Sequence, residues 1–261
     1  MTGIALWRRY AAVSIRSQLQ YRASVAMQSL GAFMVTVVEF AGIWALFARF
    51  GSVRGWTLPE IALFYGMISI AWSITDALAR GFEVFGSLLK AGDFDRVLLR
   101  PRSTVLQLLG HELTVRRIGR FAQGACVLGY ALANLDVPWD APRVALLAAA
   151  IAGAICVFLG LVILQATTAF WTTETLEVWN AFTYGGVTMG QYPLAIYRPW
   201  FRKLFTYAIP LGAAIYVPGL VLLGRASSPA HWLAPLAGPG FLIIALQLWR
   251  FGVRRYRSTG S

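Results

Sequence analysis

Seven acidic or amide residues in or beside long apolar stretches are the side chains best able to do chemistry in this chain. They are Glu39, Asp76, Glu112, Gln165, Glu174, Glu177 and Gln191. Such a group is costly inside an apolar segment, and it usually faces protein or a water-filled path. We therefore predict that these residues line a route for a polar or amphiphilic molecule. For Glu39, a partner within a helix bundle is an equally good interpretation.

The longest polar interruption of the apolar sequence lies at residues 88–103. Gly92 can end one helix there, and Asp93 can cap the next. Pro101 ends that second helix, because the residue before a proline disfavours helical geometry. The pattern predicts a short amphipathic helix between two membrane crossings.

This short helix mixes apolar and charged residues in the manner of a protein-binding surface that fits a partner's groove. We expect Phe94, Val97 and Leu98 to be its buried anchors in the partner, surrounded by a charged rim. The expected contacts are Leu88, Lys90, Asp93, Phe94, Asp95, Arg96, Val97, Leu98 and Arg100.

The sequence lacks the motifs of several kinds of catalytic site. The chain has no Gly-x-x-x-x-Gly-Lys-Ser/Thr loop for nucleotide phosphates, no His-Glu-x-x-His and no Gly-x-Ser-x-Gly. His111 and His231, the two histidines, fall on different sides of the expected membrane, which excludes a histidine-rich metal site. We expect no cofactor in this chain and no enzymatic activity from it alone.

Composition indicates the elements that must hold these residues. The chain has 261 residues, of which 58% are hydrophobic and 13% charged, with a mean hydropathy of +0.62. These values predict an all-α polytopic membrane protein, since its long unbroken apolar runs do not alternate as barrel strands do. The net charge of +12 does not indicate nucleic-acid binding, because the basic residues lie beside the apolar runs.

We predict one transmembrane domain over residues 1–261, with six spans and an amphipathic interface helix at residues 1–22. The spans are expected at residues 23–50, 60–79, 105–135, 144–170, 176–191 and 231–251, with a loop at 83–100 and an extracellular re-entrant hairpin at 192–224. A true extra span is the alternative for the hairpin. The first half of the third span either lines a polar vestibule or protrudes into water. Glu112 and Arg116 there have the i,i+4 spacing of a helical ion pair.

Basic residues set the expected orientation. Residues 1–22, 80–120 and 250–261 together hold 16 of the 23 lysines and arginines. By the positive-inside rule both termini are cytoplasmic. The membrane is expected to be a bacterial plasma membrane.

Three stretches resemble the small six-span permeases of the ABC type 2 exporter family. They are residues 92–101 (Gly-Asp-Phe-Asp-Arg-Val-Leu-Leu-Arg-Pro), residues 170–174 (Phe-Trp-Thr-Thr-Glu) and residues 192–197 (Tyr-Pro-Leu-Ala-Ile-Tyr). They occur in the expected order and are spread over residues 92–197.

The resemblance implies a coupling helix in the loop at 83–100 that a separate ATPase dimer pushes. ATP and Mg would bind to that ATPase, and a second permease, identical or different, would complete the transporter. The exported substrate would be an amphiphilic small molecule, a drug or a lipid-like compound. The competing hypothesis is an ion-coupled carrier or channel that uses Glu39 and Asp76.

Overall fold

The computed structural model describes residues 3–172, 176–226 and 228–256, and this part of the chain is 81% helical. The α-helices are α1 (Gly3–Leu19), α2 (Arg22–Phe50), α3 (Leu58–Leu78), α4 (Arg80–Glu83), α5 (Phe85–Lys90), α6 (Asp93–Leu98), α7 (Thr104–Leu109), α8 (Ile118–Asn134), α9 (Ala141–Thr168), α10 (Leu176–Gly190), α11 (Pro199–Lys203), α12 (Val217–Leu222) and α13 (Ala237–Arg255). Short 3₁₀ turns lie at Val115–Arg117, Leu194–Ile196 and Pro229–Leu236, and π-helical turns lie at Leu204–Ala208 and Gly212–Tyr216.

Four helical stretches among the described residues are long and apolar enough to cross a membrane. They are α2, α3, α9 and the continuous stretch Pro229–Arg255 that ends with α13. The pair Pro199–Ala208 and Gly212–Leu222 makes a fifth if it is counted as one span, although it bends by 87°. Helices α8 and α10 have 17 and 15 residues, fewer than the ~20 that a perpendicular crossing needs.

Helix α3 is the centre of the bundle. Every residue from position 60 to position 73 is buried, because α8, α9, α10 and the turn at Gly212–Tyr216 pack around it. The start of α3 is fixed by a capping box, in which Glu60 Oε2 accepts a hydrogen bond from the Thr57 N–H at 2.8 Å.

Helices α9 and α13 cross closely because glycines meet at the contact. A Cβ atom placed on Gly238 would lie 2.1 Å from the Gly153 carbonyl oxygen, and one placed on Gly153 would lie 2.6 Å from the Pro235 carbonyl oxygen. Contacts of this kind let two backbones approach in a membrane, where packing and hydrogen bonds drive helix association.

Helix α2 is held on one side only. Thr36, Ile43 and Phe47 are its buried residues, and its main packing partner is α8. Large apolar side chains cover its other side, among them Met27, Leu30, Met34, Val35, Val38, Trp44 and Leu46. This face of the subunit therefore needs lipid or a further protein chain against it.

The expected helix over residues 105–135 is wrong in its first half. The chain there forms α7, then an irregular segment, then a 3₁₀ turn and α8. The Thr114 N–H donates to the Ala77 carbonyl at 3.1 Å, so α3 satisfies a backbone group that a continuous helix would satisfy itself. Because Glu112 lies in the irregular segment, the helical ion pair with Arg116 does not form, and Arg116 donates to Gln28 Oε1 at 3.3 Å.

Two side chains of α1 form hydrogen bonds with the irregular segment between α7 and α8. Ser14 Oγ accepts from the Leu113 N–H at 2.9 Å, and Gln18 Oε1 accepts from the Val115 N–H at 3.0 Å. The Gln18 amide also donates to the Leu113 carbonyl. The predicted interface helix is thus bonded directly to the irregular segment that precedes α8.

The predicted hairpin at 192–224 packs deeply into the main core through residues such as Phe205, Leu211 and Ile215. Its exit is clamped by Arg225, whose Nη2 lies 2.6 Å from Glu60 Oε1 and donates to the Gly55 carbonyl at 2.9 Å. The guanidinium also lies 4.1 Å from the centre of the Trp56 ring. These contacts tie the hairpin to the loop between α2 and α3.

Candidate functional site: the inner helices and the polar cleft

Three short helices, α4, α5 and α6, connect α3 to α7, and the expected break at Gly92 and the expected short helix before Pro101 are both present. Helices α5 and α6 are separated by Ala91 and Gly92, and Gly92 has φ 73°, a left-handed conformation that glycine adopts at little cost. Gly92 is itself the N-cap residue of α6. Asp93 therefore lies in the first turn and does not cap, and it pairs with Arg96 at 3.2 Å.

Phe94 is fully buried within this chain, which corrects its expected role as an anchor in a partner protein. Its ring centre lies 4.9 Å from that of Phe85, 5.2 Å from that of Tyr256 and 5.7 Å from that of Phe170. Trp249 of α13 completes the group at 6.3 Å. We call Phe85, Phe94, Phe170, Trp249 and Tyr256 the aromatic seat. It fixes α6 to the ends of α9 and α13.

The other predicted contact residues divide between this seat and the surface. Leu88 and Val97 are half-buried and pack against the same core. The exposed set is Lys90, Arg96, Leu98 and Arg100, while Asp93 and Asp95 are half-exposed. Leu99 was missed, although 84% of its surface is exposed. Helical periodicity counted from Phe94 would have found it, because five residues place Leu99 on the opposite side of the helix.

A second feature is a cleft of about 430 Å³ among α2, α3, α8 and α10, a volume in the range of small-molecule sites. Its lining combines charged, hydroxyl, amide and aromatic side chains with aliphatic ones. The lining residues are Thr36, Glu39, Ile43, Tyr65, Ser69, Arg120, Tyr184, Val187, Thr188, Gln191 and Tyr192.

Two of the predicted route residues, Glu39 and Gln191, meet in this cleft although they are 152 positions apart in the sequence. The Tyr65 hydroxyl lies 3.5 Å from Glu39 Oε2 and 3.3 Å from the Thr36 carbonyl. Gln123 donates to the same Thr36 carbonyl at 3.2 Å. Because Glu39 itself is exposed, its carboxylate is available to a molecule in the cleft.

Arg120, Tyr184 and Tyr192 also line the cleft and were not among the predicted route residues. Arg120 could have been predicted from the sequence, because it is the last charged residue before an uninterrupted apolar run. With it the cleft presents both signs of charge beside aromatic rings. That combination can hold an amphiphilic molecule by charge and by ring contact.

The remaining predicted route residues lie elsewhere. Asp76 is 1% exposed, and its Oδ2 is 2.8 Å from Arg117 Nε, so it serves as a buried ion-pair partner. Glu112 lines a separate groove near the turn between α1 and α2. Gln165 is buried in α9. Glu174 lies outside the described residues, and the side chain of Glu177 in α10 lies outside them too.

Helices long and apolar enough to cross a membrane, with a polar cleft among them, indicate a multi-pass membrane protein. Residues 33–260 match the family model of the ABC-2 family transporter proteins. The chain therefore belongs to this family, and it is a permease component of an ABC transporter. Permeases of this family work with an ATP-binding subunit. No curated protein and no solved structure matches the chain significantly.

Proposed function

We propose that this chain is the membrane subunit of an ATP-driven exporter for an amphiphilic small molecule, drug or lipid-like compound. Its ATP and Mg would be bound by a separate ATPase dimer. The aromatic seat is the observation that carries the proposal: it joins a loop helix with an exposed end to helices that can span the membrane. A push on α6 would reach α9 and α13 through these ring contacts.

Spans 2 and 3, which flank the loop, would carry the motion away from it. Phe94 also contacts Trp249 of α13 and Phe170 at the end of α9, so these two helices would receive the motion as well. Their tight glycine crossing would make them move as a pair.

The polar cleft is the proposed substrate path. Helices α2 and α10 both line it, and both carry exposed apolar residues, including Val38 on α2 and Val178 on α10. A second permease, identical or different, would cover these faces and close the path.

The full arrangement has six crossings, with α8 and α10 included and residues 192–224 re-entrant. Both termini face the cytoplasm of a bacterial cell.

The coupling proposal is tested by replacing both Leu98 and Leu99 with alanine. We expect recovery of the ATP-binding subunit with the tagged permease to fall by roughly tenfold or more, because truncating a central interface anchor costs about 2 kcal/mol or more. The control replaces the exposed pair Leu233 and Leu236, which lies before α13, with alanine. Unchanged recovery for the loop variant, at normal membrane levels, would remove the coupling role.

The path proposal is tested by Glu39→Gln, which keeps the size of the side chain and removes its charge. We expect ATP-driven uptake of an amphiphilic cationic dye into inverted vesicles, which corresponds to export from a cell, to fall by about tenfold, since hydrogen bonds to charged groups contribute about 1.5–3 kcal/mol. Glu112→Gln is the matched control, because Glu112 lines a different groove. ATP should drive the dye in wild-type vesicles even with a protonophore present. Full export by the Glu39 variant would exclude Glu39 from the path.

A further inference from the structure

A groove of about 510 Å³ lies between the start of α7 and the end of α13, apart from the polar cleft. Helix α7 and the residue before it contribute two hydroxyls and one aliphatic side chain, and α13 contributes the rest. The lining residues are Ser103, Thr104, Val105, Leu246, Trp249, Arg250, Val253 and Arg254.

The groove has one cationic rim and an apolar floor. Arg250 and Arg254 are one helical turn apart and exposed, and no carboxylate is among the lining residues. Guanidinium groups match phosphate oxygens in geometry and charge. Thr104 Oγ1 accepts a hydrogen bond from Trp249 Nε1 at 3.0 Å, which leaves its own O–H to donate to an anion.

The surroundings of the groove place it at the surface of a membrane. Helix α13 belongs to a stretch that can span the bilayer, and its last turn is basic. The exposed side chain of Ile243 lies two to three turns before Arg250 and Arg254 on the same face of the helix. A ligand with a phosphate and acyl chains would contact both the rim and this apolar surface, whereas free phosphate would contact the rim alone.

We propose that this groove binds the headgroup of an anionic phospholipid. The phosphate lies between Arg250 and Arg254 and accepts a hydrogen bond from the Thr104 hydroxyl. The acyl chains follow Leu246 and Ile243 along the same face of α13.

The site is connected to the aromatic seat by Trp249. This residue forms a wall of the groove, and its ring centre lies 4.9 Å from that of Phe85 and 6.3 Å from that of Phe94. Binding of the headgroup would therefore restrict the movement of Trp249, which packs against Phe94 of α6. Anionic lipid should stabilise this inner end of the bundle.

The experiment uses the full-length permease in neutral detergent, titrated with dioctanoyl-phosphatidylglycerol and followed by native mass spectrometry and thermal unfolding. Dioctanoyl-phosphatidylcholine and glycerol phosphate are the comparison ligands. We expect the phosphatidylglycerol to bind and to raise Tm, and the other two to do neither. For Arg250→Gln with Arg254→Gln, we expect roughly thirtyfold weaker binding, since each basic residue contributes about 1 kcal/mol at an anionic surface.

The charge-matched control replaces Arg49 and Arg255, which lie outside the groove over the rings of Phe50 and Phe251. It should bind phosphatidylglycerol as the wild type does. Val253→Phe narrows the groove without a change in charge and should also weaken binding, which keeps the test valid if the double arginine variant does not fold. Equal binding of phosphatidylglycerol by wild type and both groove variants would overturn the proposal. The proposal would also be overturned if the arginine variants still bind the lipid but no longer bind the ATP-binding subunit.

Discussion

Phe94→Ala is expected to lower the free energy of unfolding by about 3–5 kcal/mol, the usual cost of removing a buried phenylalanine ring. Phe94 is 0% exposed and lies within ring-contact distance of four other aromatic side chains of the seat. Its removal leaves a cavity between α6, α9 and α13. The measurement is thermal unfolding of the purified permease in detergent.

The same variant should also separate ATP hydrolysis from export. Without the ring, α6 can shift against α13, so a bound ATPase would hydrolyse ATP with little export of dye. Leu99→Ala is the stability control, because Leu99 belongs to the same loop and is exposed. If the Phe94→Ala permease has the Tm and the export rate of the wild type, the aromatic seat contributes neither to stability nor to coupling.

Gly238→Ala is expected to have a comparably large effect through a single added methyl group. Its Cβ would lie 2.1 Å from the Gly153 carbonyl oxygen, a backbone atom that moves only if the two helices separate. Forcing extra atoms into a packed contact costs about 1–3 kcal/mol and occasionally more. We expect lower levels of folded protein in membranes and a lower Tm.

Gly240→Ala supplies the matched control for this crossing. It makes the same substitution two positions further along α13, and a Cβ there meets nothing within 4 Å. It should leave Tm unchanged or raise it, because alanine favours a helix over glycine. Equal Tm values for the two variants would mean that α9 and α13 do not cross as closely as described.

The long helices were predictable because their apolar runs specify them without reference to the rest of the chain. Helix α9 begins and ends within a few residues of the expected positions, and the breaker-rich turn before it explains why. The break before α8 was not predictable in this way. It depends on tertiary hydrogen bonds to Ala77, Ser14 and Gln18, which no local pattern reveals.

The site was partly predictable for a similar reason. Glu39 and Gln191 were recognisable as polar groups in apolar runs, but the same rule also selected Asp76, which Arg117 neutralises inside the protein. The apolar stripe of α6 indicated burial without specifying the surface that covers it. An apolar helix face that packs against its own chain has the same sequence pattern as one that packs against a partner protein. Phe94 packs against its own chain.

The bonding of α1 to the segment before α8 has a consequence for biosynthesis. Ser14 and Leu113 are 99 positions apart, and so the N-terminal helix leaves the ribosome long before its partner does. During that interval α1 cannot make its hydrogen bonds to the segment before α8. Docking of α1 on that segment must therefore follow the synthesis of α2 and α3, so a helix that is translated early makes its final contacts late.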